Sequence, residues 1–362
     1  MIRMLALTAL ALAVGLPQAV RAAEMTFYQL PTGAYPHDVA PAPDGTVWIS
    51  GQRQGFAGRF DPKTGHLEKI ALGPGAAPHG VIVGPDGNAW LTEGGQNAIA
   101  RVDTKTKEVR LFPLPKEFPN ANLNTLVFDN RGTVWYTGQN GVYGRVDPKT
   151  GKVDAWASPK GRGTYGITLT PTGDIWYASL AGDHIARVDT ASGEATVVDP
   201  PRKGVGPRRI WSDSKGLLWV SFWHGGAIGR YDPAAKTWTT YPMPQSKSGT
   251  YSIYVDDKDR VWATDWMANA IQRFDPRTEA YAWPAGRGVG RGVGYGPAGG
   301  DPGLNAIRAA APASRQPRRP SARATLCVYR GFAASDKALL GAFPESCASR
   351  RKRDFDPRPA ME

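Results

Sequence analysis

Tryptophan recurs at Trp48, Trp90, Trp135, Trp176, Trp219 and Trp262, at spacings of 42, 45, 41, 43 and 43 residues. An arginine follows each, at Arg59, Arg101, Arg145, Arg187, Arg230 and Arg273, 11 residues on in five copies and 10 in the third. Two residues beyond each arginine stands an aspartate: Asp61, Asp103, Asp147, Asp189, Asp232 and Asp275. Three residue types held in phase six times mark one structural unit repeated, each copy burying its faces against its neighbours.

The second copy shows what the unit is. Pro78-His79-Gly80 opens an apolar run, Val81 to Val83, and Pro85-Asp86-Gly87 is a hairpin turn signal. Ala89 to Thr92 predicts a second strand, Ala98 to Val102 a third, and Val109 to Phe112 an outer fourth. Four short strands in a repeat of this length is the period of a propeller blade. A composition of 43 Gly, 31 Pro and 12 Trp suits many short strands joined by turns rather than helices. The fold class is therefore all-β, and a single barrel or sandwich leaves the four-strand unit unexplained.

Closure is less regular. Thr26 to Leu30 resembles a fourth strand before any first strand has appeared, and Glu279 to Trp283 is the fourth strand of the sixth copy. The pattern is a β-propeller of the seven-bladed type with six complete four-stranded repeats, its last blade lost. The repeat breaks off after Pro284, as an altered reading frame or a replaced C-terminus would leave it. Residues 286–362 contain no tryptophan and are rich in Gly, Pro and Arg, a composition that predicts disorder.

Residues 1–23 read as a secretory signal: Arg3, an apolar run from Leu5 to Leu16 too short to span a bilayer, then small residues near Ala22. The propeller, residues 24–285, is expected in a periplasm or secreted, with no transmembrane segment. The formal net charge of +12 misleads, because residues 286–362 hold twelve Arg and two Lys against six acids. The propeller itself is close to neutral, which excludes a nucleic-acid footprint. Cys327 and Cys347 both lie in the tail, so the propeller needs no disulfide.

A propeller offers the mouth of its central channel as a site, and the period identifies the residues that ring it. Eleven positions before each Trp stand His37, His79, Asn124, Tyr165, Arg208 and Tyr251. Three positions after each stand Gly51, Glu93, Gly138, Ser179, Phe222 and Asp265, followed in blades 5 and 6 by Trp223 and Trp266. A scaffold duty would repeat one residue type; a varied polar set points to convergence on a small-molecule ligand. His79 and Glu93 stand at one end of a hairpin, with His37 at the matching place on the adjacent blade. Two imidazoles and a carboxylate form a candidate catalytic group, with His79 as base. Glu93 and Asp265 are candidate oxygen ligands for a hard cation. Asn124, Tyr165, Arg208, Tyr251, Trp223 and Trp266 are candidate substrate-binding residues, Arg208 for a carboxylate or oxyanion.

Pro78-His79-Gly80, followed by Pro85-Asp86-Gly87-Asn88-Ala89-Trp90-Leu91-Thr92-Glu93 and Asn97-Ala98-Ile99-Ala100-Arg101-Val102, resembles the blade signature of the virginiamycin B lyase (streptogramin lyase) family. The resemblance spans residues 25–285. It implies a seven-bladed propeller and a Mg²⁺-dependent lyase that opens an ester linkage of a cyclic depsipeptide by elimination. It also implies a Pro-His-Gly histidine as base and a glutamate at the end of the next strand that helps hold the metal. The family pattern puts these residues in its last two blades, whereas here Tyr251 takes the histidine's place in the sixth. The local match is His79 with Glu93, beside His37: the same neighbour relation moved around the ring. Three readings stay open: a metal-assisted C–O lyase acting as a monomer on a small cyclic or ester substrate, a non-catalytic propeller binding a small ligand or partner protein, and a lactonase-type hydrolase using Glu93, Asn124 and Asp265.

Overall fold

A computed structural model describes residues 24–31, 34–245, 249–268, 270–282, 324–330 and 339–344. The expected leader and most of the C-terminal segment lie outside these residues. Six four-stranded antiparallel sheets follow one another along the chain, each in simple sequential strand order. Blade 2 is typical, with strands Pro78–Val83, Ala89–Glu93, Ala98–Val102 and Val109–Pro113. The innermost strands of successive blades run side by side from blade 1 to blade 6. Among the described residues no helix is long and apolar enough to cross a membrane.

Burial falls from the inside of each blade outward. Second strands such as Val47–Gly51 and Ala89–Glu93 are buried at every position, which is why they read as continuous apolar runs. Fourth strands such as Val109–Pro113 are only partly covered. The repeat tryptophan lies in the second strand and packs into the wedge between blades. Trp90, Ile99 and Phe112 of blade 2 share one cluster with Leu123, Leu126, Val134 and Tyr136 of blade 3. Trp90 stacks on Phe112 at 5.3 Å between centroids. The turn aspartate ahead of each tryptophan fixes its indole in four blades, as where Trp219 Nε1 donates to Asp213 at 2.9 Å and Trp262 Nε1 to Asp256 at 2.9 Å.

The repeated Arg and Asp are fixtures of this scaffold. Asp61, Asp103, Asp147, Asp189, Asp232 and Asp275 accept backbone N–H groups from the turns that follow them. Arg101 reaches back to Asp86 at 2.9 Å, and Arg187 likewise to Asp174 at 2.6 Å.

A seventh sheet departs from the expectation of a lost blade and an unstructured tail. Glu24–Leu30 pairs antiparallel with Ala324–Arg330, which pairs with Leu339–Pro344. The averaged composition of residues 286–362 hides two short runs, Ala324-Thr-Leu-Cys-Val-Tyr-Arg and Leu339-Leu-Gly-Ala-Phe-Pro, with the β-branched, aromatic and apolar residues that suit strands. Leu339–Pro344 lies beside the inner strand of blade 1, Pro36–Pro41.

Candidate functional site

Each inner strand begins with a β-bulge. In blade 2, Pro78 pairs with Glu93 and Val81 with Leu91, so His79 and Gly80 together face Thr92 alone. The same irregularity recurs in all six blades. A bulge puts two consecutive residues where a regular strand would put one. The bulge lets a successor of the ring residue turn inward as well, and three of the successors, Asp38, Thr125 and Arg209, meet one another.

In five of the six blades a hydroxyl two residues after the tryptophan secures the bulge. Thr92 Oγ1 accepts from the Gly80 N–H at 2.7 Å and donates to the Asn124 carbonyl of the next blade at 2.7 Å. Ser50 ties the Asp38 N–H at 2.8 Å to the His79 carbonyl at 2.5 Å. Thr137 does the same for Thr125 and the Tyr165 carbonyl, and Ser221 for Arg209 and the Tyr251 carbonyl at 3.1 Å. Blade 4 has Ala178 at this position. There Gly166 comes against the neighbouring strand instead: a Cβ on it would stand 2.7 Å from the Cα of Arg209.

The ring side chains interlock. The imidazoles of His37 and His79 lie 3.9 Å apart between centroids, tilted by 49°. His79 Nδ1 is 3.1 Å from the Asn124 carbonyl oxygen and its Nε2 is 3.2 Å from the Asn124 side-chain amide nitrogen. Those partners require the tautomer with hydrogen on Nδ1 and the lone pair on Nε2. Burial holds the His79 pKa well below the ordinary range, and His37, Arg209 and Arg208 push it the same way. His79 is neutral at pH 7.

On the opposite arc, Arg208 Nη2 donates to the Tyr165 hydroxyl and Nη1 to the Tyr251 carbonyl at 3.1 Å. Its guanidinium carbon lies 4.0 Å from the Tyr165 ring centroid and 5.8 Å from that of Trp223. Tyr251 stacks on Trp266 at 5.8 Å, and Trp223 meets both rings edge-on. Burial alone would raise the Tyr165 pKa, but the cations of Arg208 and Arg209 outweigh it and the phenol is more acidic than usual. Burial raises that of Tyr251.

Arg209 crosses the channel. Its Nη1 donates to Thr125 Oγ1 of blade 3 at 2.6 Å, and its Nη2 lies 3.8 Å from Asp38 Oδ2 of blade 1. Thr125 Oγ1 passes the chain on to Asn124 Oδ1 at 2.8 Å, joining this arc to His79. The ring positions read from the sequence include one residue of each inner strand, and Arg209, the neighbour of Arg208, is not among them.

Glu93 and Asp265 sit elsewhere. Glu93 Oε1 accepts the Ala77 N–H at 2.5 Å and the Gly95 N–H at 3.0 Å, fastening the loop that leads into His79. Burial raises its pKa against these bonds. Asp265 Oδ1 accepts from Gly249 at 3.2 Å and Ala268 at 3.1 Å, the same service in blade 6. Glu93 keeps one buried oxygen without a hydrogen-bond partner. A Mg²⁺ ion needs several oxygen donors around it. Among the described residues no three His, Cys, Asp or Glu side chains gather, and Asp265 stands four blades from Glu93. Glu93 and Asp265, the two carboxylates expected as cation ligands, therefore belong to separate hydrogen-bonded loops.

Solved structures with the same architecture include the virginiamycin B lyase of Staphylococcus aureus, at 24% identity, TM-score 0.65, covering 72% of this chain and 89% of that one. A streptogramin B lyase structure aligns at 23% identity and TM-score 0.64, covering 71% and 86%. The hydrazine synthase of Kuenenia stuttgartiensis aligns at 15% identity and TM-score 0.57, covering 66% and 83%. A search of curated proteins finds no match. The model of the Virginiamycin B lyase family matches residues 16–142 and 72–287, which together take in every complete blade and more than half the sequence. The chain belongs to the Virginiamycin B lyase family.

Proposed function

We propose that this protein binds a small anionic molecule at the mouth of its channel, with Arg208 and Arg209 taking the charge and Trp223 and Trp266 forming the apolar wall. The observation that carries this reading is Arg208. Its guanidinium is buried, yet its hydrogen bonds go to a phenol and a backbone carbonyl. A buried cation is stabilised by an anion, and a guanidinium offers a carboxylate two parallel donors. Phenylacetate is a suitable probe, carrying a carboxylate and a ring. The expected result is saturable quenching of tryptophan fluorescence, weakened by Arg208→Lys. Equal binding of the neutral phenylacetamide would refute the reading.

A second reading is the C–O elimination carried over from the family, favoured by the His79 tautomer. Nε2 carries a lone pair on a ring that is neutral at pH 7. In that step Nε2 takes the proton from the carbon next to the one that bears the ester oxygen, a carbon acidified by its own amide carbonyl; the C–H electrons form a C=C bond, the C–O bond to the ester oxygen breaks, and the carboxylate leaves towards Arg208. Glu93 would position His79 through the Ala77 N–H, with no step routed through a metal. Chromatography of a cyclic depsipeptide incubated with the protein tests it: a ring-opened alkene product lost in His79→Ala supports the step, and retained turnover removes His79 from it. The leader over residues 1–23 adds an export proposal, tested by fractionation of cells producing the full chain.

A further inference from the structure

A cavity of about 600 Å³ lies over blades 3 and 4, lined by Asn120, Asn122, Asn140 and Arg162. Asn122 precedes the inner strand of blade 3, Leu123–Phe128, and Arg162 comes just before that of blade 4, Thr164–Leu169. Asn140 follows the second strand of blade 3, Val134–Gly138. All three stand at the strand ends that carry the channel ring, so the cavity opens on the mouth face while sharing no residue with the ring.

Its walls are preorganised. The Gln139 N–H donates to the Asn122 carbonyl at 2.8 Å, the Asn140 N–H to that of Ala121 at 3.1 Å, and the Gly163 N–H to that of Gln139 at 2.8 Å. Arg162 Nη2 donates to Asn140 Oδ1 at 3.0 Å, and Asn140 Nδ2 to the Asn120 carbonyl at 2.8 Å. Arg162 makes no ion pair with a described carboxylate. Asn122 holds its backbone at φ 51°, a left-handed conformation that asparagine tolerates better than most residues.

We propose that this cavity is a second binding site, for a polyhydroxylated carboxylate of the acidic-sugar class. The exposed amides of Asn120 and Asn122 offer donors and acceptors, and Asn140 keeps one N–H and one lone pair beyond its bonds to Asn120 and Arg162, which matches adjacent hydroxyls. The guanidinium offers the planar fork that a carboxylate takes bidentately. The lining holds no aromatic or aliphatic side chain, so an apolar ligand gains nothing there. One cation suits a single negative charge.

The test is calorimetry on the full chain with galacturonate and galactose as probes. Galacturonate binds saturably, and galactose about tenfold more weakly, since it lacks the charge-assisted pair. Arg162→Gln brings galacturonate down to the galactose level. Asn122→Gly, which removes the amide but keeps the backbone conformation, weakens both sugars with an unchanged circular dichroism spectrum. Equal binding of the two sugars, an Arg162→Gln variant that binds like the parent, or absence of saturable galacturonate binding overturns the proposal. So does displacement of galacturonate by phenylacetate, which would put the sugar at the channel mouth.

Discussion

Asn124 engages both nitrogens of the His79 ring, its backbone oxygen at Nδ1 and its side-chain amide at Nε2. One residue of blade 3 thus sets the tautomer of a histidine in blade 2. The hydrogen on Nδ1 is held by a backbone carbonyl, which any residue at position 124 would still supply. The amide at Nε2 is the replaceable contact, and it is where a ligand or an abstracted proton would arrive.

Stability should fall as pH drops from 7 towards 5.5. The folded-state pKa of His79 lies below the unfolded value of about 6.5, so above that pH both states are neutral and His79 contributes no slope. Below it the unfolded chain takes up a proton that the folded chain refuses, and stability is lost as pH falls towards the folded pKa. His184, also lowered by burial, acts in the same direction. Glu93, raised by burial, opposes them nearer its ordinary value of 4.5. Thermal melts across this window should show the decline, with a shallower slope in His79→Gln. A parent protein whose Tm is level from pH 7 to 5.5 would contradict the assignment.

Glu93→Gln and Glu93→Ala should differ in sign. The carboxylate accepts two backbone N–H groups but is ionised at a buried site, a cost present above its raised pKa. Glutamine keeps the acceptor and removes the charge, so urea denaturation at pH 7 should find it at least as stable as the parent. Alanine leaves the N–H groups of Ala77 and Gly95 unsatisfied and should lose roughly 1–3 kcal/mol. Equal losses in both variants would show that the charge itself is needed.

Thr92→Val should lose roughly 1–3 kcal/mol, because it strands the Gly80 N–H and removes one of the two donors to the Asn124 carbonyl, which still accepts from His79 Nδ1. Thr92→Ser should recover most of the loss, a rescue that volume alone does not predict. Denaturation curves of the three proteins provide the check.

Mg²⁺ at millimolar concentration, or its removal by EDTA, should leave Tm unchanged. A cation bound to the folded state alone raises stability with its concentration. The carboxylates of Glu93 and Asp265 are instead committed to backbone N–H groups within their own blades. A Tm that climbs with Mg²⁺ would reveal a donor set outside the described residues.

The tryptophan period made the blades, their strand order and the first ring of channel residues legible, because the same packing demand recurs in each wedge. His37 and His79 come together as that period requires. Arg209 was not legible, since strict alternation sends the residue after Arg208 to the other face and only the bulge turns it inward. Nor was the work of Glu93: backbone N–H partners leave no mark in a sequence. The strand Ala324–Arg330 escaped because a Gly/Pro/Arg average over many residues conceals seven that differ from it.

Alanine at position 178 has an effect beyond its own blade. Every other joint from blade 1 to blade 6 carries a hydroxyl clasp between adjacent inner strands, whereas at the joint between blades 4 and 5 Gly166 packs close on Arg209 and Arg208 donates to the Tyr165 hydroxyl. Arg208 and Arg209 stand on the far side of that joint. One of the two cations at the mouth is therefore also a tie between neighbouring blades, so the group that would meet a ligand shares its donors with the scaffold.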